Sequence, residues 1–313
     1  MKLKKTILLT GAGFTKNFGG FLAQEMWTHI FNDPEVQQNE DLRNKLINNF
    51  DYESVYESVK ATTREDERNK SVKILESAIL NAYIKLDEII KNEITYIDHY
   101  KLDFFINRFS GDKNMGKGFI FTLNQDLFVE RQYINGKKFV CPGIKYPCNL
   151  NDPLMRRLSL PKDMYITISS QKISTQKRKE EIEAENSFYI KLHGSFNWRD
   201  SDLQQLIITG QSKSQKIKMV GLLDWYWDML KDILKQGTVK LLIIGYGFRD
   251  IHLNKLIEQA VLENNLKLYI ISPNSPRDTQ LLAKKKPISS SIRKRIKRLF
   301  SIRYYWTFPN QPK

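Results

Sequence analysis

Cysteine is nearly missing from this chain of 313 residues: only Cys141 and Cys148 occur, in CPGIKYPC. Two cysteines cannot build a disulfide scaffold, and this spacing is not that of a zinc knuckle, so a reduced, cytoplasmic setting is expected. Long apolar runs are missing too. Nothing approaches the roughly 20 uncharged residues of a spanning helix, which argues against a membrane partner. The opening MKLKKTILLTGAGF has the basic lead of a signal peptide, but its apolar run is short and breaks into GAG without a small-residue cleavage site; it reads as a first strand. Histidine is scarce, with four in all. Acidic residues vanish from one region: between Thr279 and Lys313 there are ten Lys or Arg and no Asp or Glu, out of a formal net charge of +15. That segment suits a polyanion or an acidic partner surface, with nucleic acid possible over residues 284–303, and it suits equally a solvated basic helix.

A hydrophobic share of 41% with 12% aromatics is that of a globular chain. Continuous apolar runs stand at KTILLT (5–10), GFIFTL (118–123), SFYIKL (187–192), LQQLIITG (203–210), VKLLIIG (239–245) and LKLYIIS (266–272). Such runs mark strands buried on both faces, and helical patterns lie between several of them. The expected fold is therefore α/β: a Rossmann-like parallel sheet with helices on both faces and an inserted helical module. The module is residues 20–110, where ILESAILNAYIKLDEII (74–90) carries apolar residues at helical spacing. Residues 142–186 read as a proline-rich connection followed by an exposed loop or short helix. In the tail, Ile292, Ile296, Leu299 and Phe300 form one apolar stripe on a cationic helix.

Four strand ends carry polar or glycine residues. TGAGFTK (10–16) follows the first strand, and its glycines allow a tight turn whose backbone N–H groups approach a pyrophosphate. It is neither a P-loop nor the full dinucleotide fingerprint, because no Gly-Lys-Ser/Thr ends it and Lys16 stands where the third glycine belongs. A plain strand-to-helix turn explains it as well. TLNQD (122–126) places Asn124 and Asp126 at a strand's carboxyl end, where a ligand or a helix cap would use them. KLHGSFNW (191–198) delivers His193, and GYGFRDIHLN (245–254) opens a helix that Asp250 can cap, with His252 structural. On a parallel sheet these four ends meet on one edge. A lone strand-end histidine is usually structural, but one that shares a crevice with a glycine turn and an Asn/Asp pair is a candidate base.

The order GAGF, TLNQD, KLHG, GYGFRDIHLN resembles the sirtuin family, and within it the bacterial sirtuin-like NAD hydrolases of anti-phage defence. The likeness spans most of residues 5–275. It implies a NAD-binding domain over 1–19 and 111–278, with 279–313 as a basic C-terminal helix or tail. It further implies that Gly11, Ala12, Gly13 and Phe14 cradle NAD+, that Asn124 contacts the ribose carrying nicotinamide and positions a water, and that Asp126 holds the carboxamide. His193 would be the general base, and Gly245 and Asn274 would face the adenosine. NAD+ would be the substrate. Two cysteines cannot supply the four thiolates of the deacylase zinc module, so no zinc is expected and water is the expected acceptor. The 69-residue interval from Asn124 to His193 is longer than the family's, which makes 135–187 an insertion. The resemblance implies a toxic defence effector that is activated through homo-oligomerisation or by a partner such as a HerA-type ATPase. The alternatives are a NAD- or ADP-ribose-binding regulatory or structural subunit that uses its basic tail, and a protein deacylase.

Overall fold

The computed structural model describes residues 2–93, 99–133, 139–145, 165–203, 206, 213–237 and 239–272. Five of the six apolar runs form one parallel sheet: β1 (Thr6–Thr10), β2 (Gly118–Thr122), β4 (Ser187–Lys191), β6 (Lys240–Ile244) and β7 (Lys267–Ile271), in the order β4-β2-β1-β6-β7. The run 203–210 lies almost wholly outside the described residues. Asn274, Cys148 and the segment 279–313 lie outside them too. A second, two-stranded parallel pair, β3 (Ile166–Thr167) with β5 (Trp198–Arg199), has no counterpart in the sequence reading.

Side chains alternate across the sheet, as the two-residue period of a strand requires. Leu8, Ile120 and Tyr189 face one apolar core, while Ile7, Leu9, Phe119, Phe121, Phe188, Ile190, Leu241 and Ile243 face the other. The first core is shared with the helical block. That block holds α2 (Ala23–Phe31), α3 (Pro34–Gln38), α4 (Glu40–Asn48), α5 (Tyr52–Lys60), α6 (Glu65–Glu93) and α7 (His99–Asn107). Helix α6 turns Leu75, Ala78, Ile79, Ala82, Leu86 and Ile90 inward, a stripe of threes and fours over its 29 residues. The second core is closed by α11 (Gly221–Leu234) and α12 (Ile251–Glu263), with Trp225, Tyr226, Leu230 and Ile233 of α11 buried. A parallel sheet with helices on both faces results, and this is the α/β, Rossmann-like architecture expected.

Three further helices are short: α1 (Ala12–Lys16), α8 (Phe128–Tyr133) and α10 (Lys213–Met219). A fourth, α9 (Thr175–Ala184), is the charged stretch after the proline-rich connection. The Ser174 hydroxyl accepts the Lys177 N–H at 3.3 Å to cap it, and none of its residues is buried. Among the described residues no helix is long and apolar enough to cross a membrane.

Candidate functional site

All five strands of the sheet are parallel, so their carboxyl ends share one edge. From β1 the strand order runs one way to β2 and β4, then returns to β6 and β7 on the other side of β1. The reversal lies between β1 and β6, the position where open α/β sheets bind ligands. Two turns meet there. Gly11 N–H donates to Ile244 O at 3.0 Å, and Gly13 N–H donates to Gly245 O at 2.9 Å. A Cβ on Gly13 would stand 2.8 Å from Gly245 Cα, and one on Gly245, whose φ is +68°, would stand 2.1 Å from the Phe14 nitrogen. The glycines are thus required by backbone packed on backbone. Phe14 N–H donates to Gly11 O at 2.8 Å, and its ring packs among Phe18, Phe105 and Phe128. Ala12 is the exposed residue of the turn.

On β2 and β4, Thr122 is paired with Lys191. Asn124 and His193 each follow two residues later, so they leave adjacent strands at the same level. Asn124 is 8% exposed and His193 6%. The Asn124 amide nitrogen donates to Gly11 O at 3.1 Å and to Thr15 Oγ1 at 2.7 Å. A peptide carbonyl only accepts, so the amide is fixed with its nitrogen toward the glycine turn and Oδ1 as its remaining acceptor. The Thr15 hydroxyl in turn favours the charged form of the Asp126 carboxyl. Sequence reasoning passed over Thr15, although it lies within the glycine motif.

Asp126 is 5% exposed, and its carboxyl accepts the Phe128 N–H at 3.0 Å at the start of α8. Burial pushes this carboxyl above the ordinary range, against the pull of the Lys191 ammonium, the Phe128 N–H and the Thr15 hydroxyl. Lys191, fully buried, donates to the Asp126 carbonyl and to Glu130 Oε1. Burial likewise pushes the Glu130 carboxyl up. Next to Glu130, Arg131 grips Asp87 of α6 through two bonds of 2.7 and 2.5 Å. A chain of buried polar contacts therefore lies between Asn124 and the helical layer.

His193 sits otherwise. Its Nε2 lies 2.9 Å from Oδ2 of Asp250, and its ring lies beside Trp227 with centroids 6.4 Å apart. The whole segment Lys191–Arg199 is buried. Trp227 of α11 donates its indole N–H to Leu192 O at 2.9 Å, and Tyr83 of α6 stacks on Phe196. Burial pushes the Asp250 carboxyl up, but the bond to and charge of His193, with the Leu253 N–H and the charge of Lys213, outweigh it and hold it at about 2. Asp250 caps α12 by accepting the His252 and Leu253 N–H groups, both at 3.0 Å. His252 is exposed.

The edge thus gathers the glycine turn, Asn124, His193 and the Gly245 turn, as expected of a nucleotide site on an open α/β sheet. Residues 118–290, more than half of the chain, match the family described as SIR2-like domain, and the chain belongs to that family. The match runs from β2 past β7; the GAGF turn and the helical block precede it. SIR2-like domains use NAD+. The chain matches none of the curated proteins.

Proposed function

We propose that this protein is a sirtuin-like NAD+ hydrolase, splitting NAD+ with water into nicotinamide, ADP-ribose and a proton. The observation that carries the reading is the pairing of Asn124 with His193. Each is buried, each is held from behind by other groups of the protein, and each keeps one acceptor atom beyond those contacts. The residues fit a ribose: hydroxyl groups need acceptors, and an amide supplies one without adding charge.

Cleavage builds oxocarbenium-like charge on the sugar while the cationic leaving group becomes neutral, so the protein's work is to orient the sugar and exclude bulk water. Asn124 Oδ1 accepts from a ribose hydroxyl or from the attacking water. His193 takes a proton from one of these, a contribution on the order of 10² to 10⁴ in rate. Ala12 and the Gly245 turn flank the phosphates and adenosine. Asp126 would hold the nicotinamide carboxamide. Consumption of NAD+ is toxic, which suits a defence effector released by homo-oligomerisation or by a HerA-type ATPase.

Incubation of the purified protein with NAD+, alone and with such a partner, followed by chromatography, tests the reading. Nicotinamide and ADP-ribose should appear, and Asn124→Ala and His193→Ala should each abolish them while leaving the circular dichroism spectrum unchanged. Turnover undiminished in both variants would discard the site. A complex that never consumes NAD+ would leave a NAD-binding regulatory subunit instead.

A further inference from the structure

The two oxygens of Asp250 face different partners. Oδ1 accepts two N–H groups at the start of α12, and Oδ2 faces Nε2 of His193 at 2.9 Å. Both side chains are 7% exposed. The positive end of a 13-residue helix, together with its N–H donors, favours the ionised carboxylate. An ionised carboxylate only accepts, so the contact requires the hydrogen on Nε2. Neutral imidazole has one N–H, which leaves Nδ1 with the lone pair. Among the described residues no hydrogen bond to Nδ1 is formed.

The bond is also long in its reach across the fold. His193 follows β4 and Asp250 follows β6, and β2 and β1 lie between those strands. Three strand spacings amount to about 14 Å. The two loops therefore lean toward each other over the carboxyl edge, across the place where Asn124 and the glycine turn stand. Helix capping alone explains Oδ1. It gives no reason for Oδ2 to meet a histidine from the far side of the crevice.

The geometry points to Asp250 as the positioning residue of the site: by accepting Nε2–H it holds the His193 imidazole in one tautomer and makes Nδ1 the base that receives the proton. In the proposed hydrolysis Nδ1 gains the proton of the ribose hydroxyl or water, the carboxylate stays ionised beside the imidazolium, and the proton passes to solvent when product leaves. The kinetic consequence rests on the hydrolase reading; the tautomer does not.

Asp250→Asn tests it on the full chain. An asparagine caps a helix as well as an aspartate does, so α12 keeps its cap. Its amide nitrogen, placed where Oδ2 was, donates to Nε2 and drives the hydrogen to Nδ1. Long-range ¹⁵N–¹H spectra of the histidine side chains at mildly alkaline pH read the tautomer, with His193→Gln assigning the signal among the four histidines. Wild type should show Nε2–H and Asp250→Asn should show Nδ1–H. Nicotinamide release should fall on the order of 10³- to 10⁴-fold in kcat with KM little changed, as when the wrong tautomer is imposed on a catalytic histidine. Nδ1–H in the wild type, or a variant with wild-type tautomer and kcat, overturns the assignment. If no form of the protein releases nicotinamide, the hydrolase reading fails and the tautomer switch alone decides the role of Asp250.

Discussion

Asn124 and His193 leave neighbouring strands at the same level, and the protein holds them by opposite means. Around Asn124 the direct partners are uncharged, a peptide carbonyl and the Thr15 hydroxyl. Around His193 the direct partner is a carboxylate at a helix N-terminus. An amide has one charge state, and a neutral socket fixes its orientation. An imidazole that works as a base must change charge in a dry place, and an anion beside it lowers the cost of doing so. The difference in surroundings thus suits the different duties proposed for the two side chains.

The largest expected effect breaks the Asn124 side at its base. Lys191→Met leaves Glu130 without its cation, and among the described residues Glu130 Oε2 already has no hydrogen-bond partner. Loss of one member of a buried pair costs about 3–5 kcal/mol, and Lys191→Met combined with Glu130→Gln should recover much of it in urea unfolding.

Next comes the His193 side. The Asp250 carboxyl is held at about 2, below its ordinary 3.8. A depressed carboxyl stabilises the fold above its unfolded pKa, and that stability is lost as pH falls through the folded value. Asp250→Asn should therefore be less stable than wild type by about 2 kcal/mol above pH 5, with the gap closing as pH falls from about 4 through 2. A gap independent of pH would show that the charge of the Asp250 carboxylate is not its source.

The smallest effect sharpens the comparison. Thr15→Val removes the hydroxyl to which Asn124 donates and should cost about 1–2 kcal/mol, since it leaves a buried amide N–H short of one bond. It should also reduce nicotinamide release while leaving the His193 tautomer unchanged. A changed tautomer would mean that the two sides are coupled.

Much of this was legible in the sequence, and the reason is periodicity. Runs such as GFIFTL and VKLLIIG are apolar at every position because both faces of the sheet are covered, and five of them became its strands. The stripe in 74–90 belongs to α6. The cap that Asp250 offers α12 was legible because it is local. Contacts that join distant segments were not. Asp250 and His193 are 57 residues apart, and no spacing rule connects them. Nothing local in FVERQY announces that Glu130 and Arg131 are fully buried; Lys191 and Asp87 come to meet them from other elements. Strands of two residues, such as β3 and β5, are too short for any alternation to register.

Gly13 and Gly245 approach so closely that neither admits even a methyl group. A stretch such as GAGF is therefore demanded by the joinery of the first and sixth strands, with or without a nucleotide. A chain of this family that had lost its chemistry entirely would still have to keep these glycines, so their survival in a relative says that the sheet closes there and says nothing about turnover. If the proposed hydrolysis holds, Asn124, Thr15, His193 and Asp250 are the positions whose loss would mark a silent descendant.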